Sequence, residues 1–341
     1  MRQQAIILLL GEVPEDLRGE MFLPNPGKSA PSYYAASVPR RLAVGEATAE
    51  VDGEEVAFEI GGYAPGILVI RTTVESEDIF RPETFDVEEK LLARARDILT
   101  AHGGNLDFSE AYTIFVVSQY DGPPEQFLDR SAIIASLLKS EREELAAREI
   151  EHTLKAQIKY GRDDLAIIDW DGAFLFDPGG DVQQEIELLS LANLQLLRHR
   201  ILDRDLDGRL AGMAELVGEP RRGRLSFGHR DVERGLVQII RDRMRSISEL
   251  QRLEREIKLI GDWYSARFYE LATAKFKIAE WRQTIRRKLE SVEDIYSIVA
   301  ENFSVSRKHR AEWIQIVLFF ILQVGWLVLI ILEFFYFTRG T

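Results

Sequence analysis

Near the end of the chain, residues Trp313–Leu332 read WIQIVLFFILQVGWLVLIIL. This stretch carries no charge, and its only strongly polar side chains are Gln315 and Gln323. At 1.5 Å per residue, a helix of this length spans about 30 Å, the thickness of the hydrocarbon layer of a bilayer. The sequence therefore predicts a transmembrane helix at residues 311–337, followed by a short outer tail at 338–341.

Basic residues beside this stretch predict its orientation. Arg307, Lys308 and Arg310 precede it, whereas only Arg339 follows it. Because basic residues favour the cytoplasmic side of a membrane, the large N-terminal part is expected in the cytoplasm. Ala5–Leu10 is too short for the core of a signal peptide, and Ile6–Leu10 is typical of a buried strand. The pattern indicates a single-pass protein anchored by its C-terminal tail.

The same stretch holds residues suited to contacts between membrane helices. Gln315 and Gln323 are its polar residues and Gly325 is its glycine. Polar and small residues support helix packing in lipid. Trp313 opens the span, where interfacial tryptophan is common. We expect these four residues at a membrane or oligomer contact.

The composition excludes several classes of site. The 341 residues include 43 Lys and Arg, 56 Asp and Glu and no cysteine, which gives a formal net charge of −13. Without cysteine there are no disulfides, thiolate metal sites or cysteine nucleophiles. An acidic chain binds nucleic acid poorly, because phosphate contacts dominate that affinity. We expect no DNA partner and no cofactor.

The charge is unevenly distributed. Residues 221–310 contain 21 Lys and Arg against 13 Asp and Glu, which leaves residues 1–220 with a net charge of −20. All 11 prolines lie before residue 221, and helix interiors tolerate proline poorly. A basic helical region is therefore expected after an acidic N-terminal part.

Apolar residues in the basic region follow helical spacing. Tyr264, Phe268 and Leu271 form one stripe, and Gly261-Asp262 before it favours a turn between helices. Steps of four and three residues, the spacing of a heptad seam, run through Ile285, Leu289, Val292, Tyr296, Val299 and Phe303. The sequence predicts a helical hairpin, or coiled coil, whose second arm enters the membrane and whose seam mediates self-association.

The N-terminal part alternates strand and helix signals. Apolar runs predict strands at Ile6–Leu10, Glu46–Val51, Val56–Ile60, Ile67–Thr73, Tyr112–Gln119, Leu165–Asp169 and Ala173–Phe176. The last two are predicted to form a hairpin, because Asp171-Gly172 between them favours a tight turn. Helical spacing predicts helices at Val87–Ala101, Pro124–Lys139, Glu141–Tyr160 and Val182–Asp207. Because strands dominate early, the expected fold is an α+β head at residues 1–180, then a connecting helix at 181–220 and a stalk at 221–310.

An acidic cluster is the densest set of candidate metal ligands. It comprises Asp163, Asp164, Asp169, Asp171, Asp177 and Asp181. Such oxygens suit hard cations, but the spacing lacks the distal glutamate of a calcium loop. Aspartates that form turns around a hairpin explain the cluster without metal. We expect no metal site and no catalytic residue, and an enzyme that uses this cluster is an alternative.

Basic residues flank the helical region at both ends. They are Arg221, Arg222 and Arg224 at its start and Arg307, Lys308 and Arg310 before the span. The first group has two open interpretations. It contacts phosphate, of lipid head groups or of RNA, or it docks on the acidic head of the same or a neighbouring chain.

Several C-terminal motifs occur in a characteristic order. Asp262-Trp263-Tyr264 is an acidic–aromatic start, Tyr269-Glu270-Leu271 follows in a first helix and Leu289–Val299 in a second. Arg307–Ile314, RKHRAEWI, then leads into the span. In these motifs, over residues 262–335, the chain resembles the required-for-meiotic-nuclear-division (RMD) family of single-span membrane proteins, a group of unknown function.

This resemblance implies a membrane-anchored, homo-oligomeric protein without known catalytic residues. Mitochondrial members of the family are implicated in holding mitochondrial ribosomes at the inner membrane. This chain lacks an Arg-rich, acid-poor transit peptide, which favours a bacterial inner membrane.

The sequence thus predicts a non-enzymatic, self-associating scaffold or tether. Its expected partners are the lipid bilayer, further copies of itself and an unidentified cytoplasmic protein or ribonucleoprotein. The alternative is a subunit of an oligomeric channel or transporter, since one span can line a pore only within an oligomer.

Overall fold

The computed structural model describes residues 1–14, 17, 19–22, 41–218, 241, 244, 247–248 and 263–338. For residues 21–22, 213–218, 295–312 and 333–338 it describes the backbone alone. The turn predicted at Gly261-Asp262 lies outside the described residues. The chain divides into two units, Met1–Asp205 with Ser248–Arg286 and Leu206–Ile247 with Arg287–Thr341.

The first unit is built on a mixed sheet. Its described strands are β1 (Arg2–Glu12), β2 (Glu20–Phe22), β3 (Arg41–Val51), β4 (Glu54–Tyr63), β5 (Ile67–Ser76), β6 (Asn105–Ser118), β7 (Gln157–Ile158), β8 (Leu165–Ile168) and β9 (Gly172–Phe176). They pair in the order β2-β3-β4-β5-β1-β6-β9-β8-β7. Every described neighbouring pair is antiparallel except β6 and β9, which are parallel.

Helices flank the sheet and extend beyond it. Those described are α1 (Glu83–Ala101), α2 (Ser131–Leu138), α3 (Ala147–Leu154), α4 (Gln183–Gly218), α5 (Trp263–Lys275) and α6 (Ile278–Thr338). A 3₁₀ helix, Pro124–Arg130, leads into α2. The mixed sheet with helices confirms the head as an α and β fold.

Both faces of the central strand β1 are covered. Ile7 packs with Leu91 and Leu99 of α1, whereas Leu8 belongs to a second core that includes residues of α4 and α5. Successive residues of a strand point to opposite faces. Because both faces of β1 are buried, its successive residues are apolar. This continuous apolar run is the pattern from which the strand was predicted.

Helix α5 packs against the sheet instead of forming an arm of a stalk. Phe268 and Phe276 are fully buried in the core that contains β1 and β6, and the ring of Phe276 meets Tyr112 edge to face at a centroid distance of 5.5 Å. Tyr264 and Leu271 pack on the same core. The predicted hairpin is therefore not confirmed: helical spacing identifies α5 but does not say which surface its apolar stripe covers.

The unit boundaries differ accordingly from those expected from charge. The first unit takes in residues 181–205 and 263–286, which the charge and proline pattern places in a connecting helix and a stalk. The head therefore includes part of the basic region, because α5 supplies apolar side chains to its core.

The predicted elements of the head are confirmed except for two helices. The predicted helix Pro124–Lys139 is a 3₁₀ helix, Pro124–Arg130, followed by α2. Glu141–Tyr160 is helical only at Ala147–Leu154. The chain then turns, and Gln157–Ile158 pairs with β8 as a short edge strand. Ile158, an apolar residue near the end of the predicted helix, lies in this strand. Helical spacing of apolar residues does not reveal such a pairing.

The described part of the second unit consists mainly of the end of α4 and the long helix α6. Leu206 and Val292 are buried, and Lys288 Nζ lies 2.7 Å from the Asp207 carboxylate. Helix α6 continues for 61 residues without a break. The predicted span is thus the final part of one continuous helix.

Candidate functional site

The segment Trp313–Leu332 is helical, and all of its side chains are exposed. The exposed fraction of its large apolar side chains runs from 46 % at Val324 to 70 % at Trp326. Soluble monomers rarely expose a contiguous apolar surface of this size. The segment is therefore a helix long and apolar enough to cross a membrane, and it is the first candidate functional site.

The predicted contact residues of the span lie on this exposed surface. Trp313 is 66 % exposed, and Gln315, Gln323 and Gly325 are exposed as well. A Cβ atom added at Gly325 would meet no described atom within 4 Å. These side chains are thus accessible to lipid or to another helix.

The first residues of the predicted heptad seam are buried or half-buried, whereas the residues of the span are exposed. Ile285 and Val292 are buried within the chain, and Leu289 is half-buried. Their apolar spacing therefore serves packing within the chain at these positions. Tyr296, Val299 and Phe303 lie further along α6, where the side chains are outside the described structure. Any contact between copies through this seam depends on that later part.

The two groups of basic residues can be placed only in part. Arg307, Lys308 and Arg310 lie on the backbone of α6, directly before the apolar segment. Arg221, Arg222 and Arg224 lie outside the described residues.

The acidic cluster of the head separates into two groups. Asp169 and Asp171 lie at the β8–β9 turn, whereas Asp163, Asp164, Asp177 and Asp181 lie at the opposite end of these strands. A strand rises about 3.3 Å per residue, so four or five residues separate the groups by about 15 Å. Among the described residues, no three histidine, aspartate or glutamate side chains are grouped to hold a metal.

Asp169 forms a buried ion-pair network that links three elements. Its side chain lies 3.1 Å from Lys275 Nζ of α5 and 3.4 Å from Lys139 Nζ. Lys139 also contacts Glu149 of α3 at 2.9 Å. The backbone oxygen of Asp169 accepts a hydrogen bond from Tyr112. Through Lys139, the residue that follows α2, and through Lys275, these contacts connect α2, α3 and α5 to the β8–β9 turn. Asp169, which the sequence predicts to form a turn, therefore has a structural role.

Two further carboxyl groups, those of Glu88 and Asp171, have raised pKa values. Glu88 of α1 is only 6 % exposed and accepts a hydrogen bond from the Thr113 hydroxyl. Burial raises the pKa of Glu88 to about 7, and the negative charge of Asp171 adds to this effect. Burial also raises the pKa of Asp171 to about 6. The pKa values of both groups therefore lie closer to neutral pH than those of ordinary carboxyl groups.

Sequence reasoning missed Glu88, although a signal was present. The buried residues of α1 include Phe85, Glu88, Leu91, Ala95 and Leu99, which repeat at intervals of three or four. A glutamate at such a position of an apolar stripe is expected to be buried. The sequence around Lys139 and Lys275 gives no comparable sign that these side chains pair with Asp169, because Asp169 is distant in sequence.

Comparisons with known proteins give one family and one relative. Residues 18–183 match the family described as uncharacterized protein MJ0711, N-terminal domain. The uncharacterized protein MJ0711 of Methanocaldococcus jannaschii is 26 % identical over 298 residues, which are 87 % of this chain and 88 % of that protein. No solved structure matches. The chain is therefore similar, over most of its length, to an archaeal protein whose description gives no function.

Proposed function

We propose that this chain is a single-pass membrane protein that acts as a non-enzymatic scaffold or tether. The observation that carries the proposal is the exposed apolar segment Trp313–Leu332 at the end of a continuous helix. Water is a poor solvent for this surface, whereas a bilayer matches its length and composition. The head is thereby held at a membrane.

Charge supports a cytoplasmic position for the head. Arg307, Lys308 and Arg310 precede the span, and basic residues favour the cytoplasmic side. An anionic inner leaflet attracts basic residues near the membrane and repels the acidic N-terminal part. The head then faces cytoplasmic partners, and the likeness to the RMD family favours a ribonucleoprotein among them. The membrane that we propose is the bacterial inner membrane favoured by the sequence.

Self-association is the part of this proposal that the span itself supports. Gln315 and Gln323 are exposed in an otherwise apolar helix, and polar groups in lipid gain about 1 kcal/mol by pairing with another helix. We expect full-length protein in neutral detergent to have a protein mass of two or more chains, measured by light scattering after subtraction of the detergent.

Removing the polar groups should weaken this assembly. The variant Gln315→Leu with Gln323→Leu is expected to shift the mass towards one chain at a given protein concentration. The matched control, Ile316→Leu with Val324→Leu, changes apolar neighbours only and should leave the mass unchanged. A wild-type protein that is monomeric at all concentrations would contradict the self-associating scaffold.

The second candidate function is a subunit of an oligomeric channel or transporter. The same two glutamines favour it, because polar side chains within a span line water-filled paths as well as helix contacts. Ion flux into liposomes that contain the assembled wild-type protein, reduced in the double glutamine variant, would favour this function over the scaffold.

A further inference from the structure

Strand β3 forms an open edge of the sheet over most of its length. Its outer neighbour β2 pairs with Arg41–Ala43 alone, whereas β4 pairs with β3 as far as Val51. The described strands include none on the outer side of Val44–Val51, and a Cβ atom added at Gly45 would meet no described atom within 4 Å. An edge of this kind presents unpaired backbone groups to which a further strand can add.

The turn that follows β3 determines which backbone groups point outwards. Asp52 and Gly53 have φ angles of 53° and 83°, as in the type I′ turn of a two-residue hairpin loop. The residues that flank this loop, Val51 and Glu54, lie opposite each other and form a hydrogen-bonded pair. Such pairs alternate along antiparallel strands with pairs that exchange no hydrogen bonds. The residues whose N–H and C=O groups point away from β4 are therefore Glu46, Thr48 and Glu50.

The glutamates make one face of this edge acidic. Glu46 and Glu50 are exposed, and so is Glu55, which lies opposite Glu50 on β4. None of these three carboxylates contacts a cationic side chain among the described residues. By contrast, Glu59, which lies opposite Glu46, contacts Arg71 at 2.6 Å. The outermost carboxylates thus have no counter-charge within the described part of the head.

The opposite face of the edge is apolar. Ala47 and Ala49 are half-buried and pack against the core that includes Phe58 and Leu91. Because side chains alternate between the two faces of a sheet, an added strand would place every second side chain beside the carboxylates and the others beside this apolar layer. The edge therefore matches a strand in which basic and apolar residues alternate.

Charge distinguishes such a partner from a second copy of the chain. If two β3 edges paired antiparallel about Thr48, Glu46 of each copy would lie opposite Glu50 of the other. Like charges directly opposite each other destabilise a pair of strands, whereas opposite charges stabilise it. The acidic edge therefore disfavours pairing with itself and favours a basic partner strand.

We propose that the outer edge of β3 binds an extended segment of a partner protein in which basic and apolar residues alternate. The segment adds as an antiparallel strand, which is the arrangement that β3 has with β2 and β4. Its backbone pairs with Glu46, Thr48 and Glu50, and its basic side chains lie beside the glutamates. In strand addition, main-chain hydrogen bonds supply affinity and alternate side chains supply specificity. The edge lies on the head, so binding does not require the function proposed for the span.

The test is calorimetric titration of the full-length protein in neutral detergent with a short peptide in which lysine alternates with valine. We expect saturable binding of one peptide per chain, and no binding when glutamate replaces lysine in the peptide. The variant Glu46→Gln, Glu50→Gln should bind the lysine peptide about ten-fold more weakly, because each exposed ion pair contributes only a modest part of the affinity. The matched control, Glu143→Gln with Glu144→Gln, removes the same charge from exposed residues before α3 and should bind like the wild type.

Two methylated peptides separate strand pairing from general attraction to an acidic surface. When the lysines lie opposite the glutamates, their N–H groups point towards β3, whereas those of the valines point away. Methylation of the lysine backbone nitrogens should therefore abolish binding, and methylation of the valine nitrogens should leave it nearly unchanged at the same charge. The proposal is overturned if the first peptide binds as well as the second, if both glutamine variants weaken binding equally, or if no saturable binding is seen.

Discussion

A chain that carries Leu322→Arg together with Val324→Arg is expected to leave the membrane fraction. Both residues lie at the centre of the apolar segment and are exposed, at 60 % and 46 %. An arginine at the centre of a membrane helix costs roughly 2.5–3.5 kcal/mol on the insertion scale. Two of them cost about 5–7 kcal/mol on the same scale, which is enough to abolish stable insertion of a single span.

The measurement is the fraction of protein that stays with membranes after extraction at alkaline pH. The control Leu322→Ala with Val324→Ala shortens the same side chains without adding charge, and it should stay with the membranes like the wild type. Retention of the arginine variant at the wild-type level would mean that another part of the chain holds the protein at the membrane.

The second large effect is expected from Glu88→Gln, and it depends on pH. Burial raises the pKa of this carboxyl from 4.5 to about 7 in the folded chain. Between these values the folded state holds a proton that the unfolded state has lost. The contribution of Glu88 to the free energy of unfolding therefore falls as pH rises from about 4.5 to 7, and this contribution is level above that.

Glutamine at this position removes the titration but can still accept the hydrogen bond from Thr113. We expect Glu88→Gln to match the wild type near pH 4.5 and to be more stable by about 3–4 kcal/mol at about pH 8, since each unit of pKa corresponds to about 1.4 kcal/mol. Denaturant unfolding of the full-length protein in detergent across this pH range measures the difference.

The neighbouring Glu89 provides the control for this experiment. It is exposed on the same helix and contacts Arg142 at 3.0 Å. Glu89→Gln should change the free energy of unfolding by less than about 1 kcal/mol, as expected for a surface ion pair, and without the same pH dependence. A pH-independent effect of Glu88→Gln would show that Glu88 is not protonated in the folded state.

The span and the head strands could be predicted from the sequence because each depends on a local pattern. The charge-free run Trp313–Leu332 needs no partner to be recognised as a membrane-length helix, and β1 is a continuous apolar run because both of its faces are covered. The Asp171-Gly172 pair at the β8–β9 turn similarly predicted a hairpin. In these elements, local sequence and tertiary packing agree.

The packing of α5 and the partners of the buried carboxyl groups could not be predicted in the same way. The stripe that contains Phe268 looks the same whether it faces a second helix or a sheet, and only the fold places it on β1 and β6. The network around Asp169 joins it to Lys275, which lies 106 residues away. The partner of Glu88, Thr113, likewise lies 25 residues away, on β6.

A single span with the head in the cytoplasm is tested by mapping both ends of the chain. Tags at the N-terminus and the C-terminus are exposed to protease added to intact spheroplasts, from which any outer membrane has been removed. We expect the C-terminal tag to be removed, while the N-terminal tag is cleaved only after the spheroplasts are permeabilised. Cleavage of the N-terminal tag in intact spheroplasts, or protection of both tags, would show that the chain has a different topology.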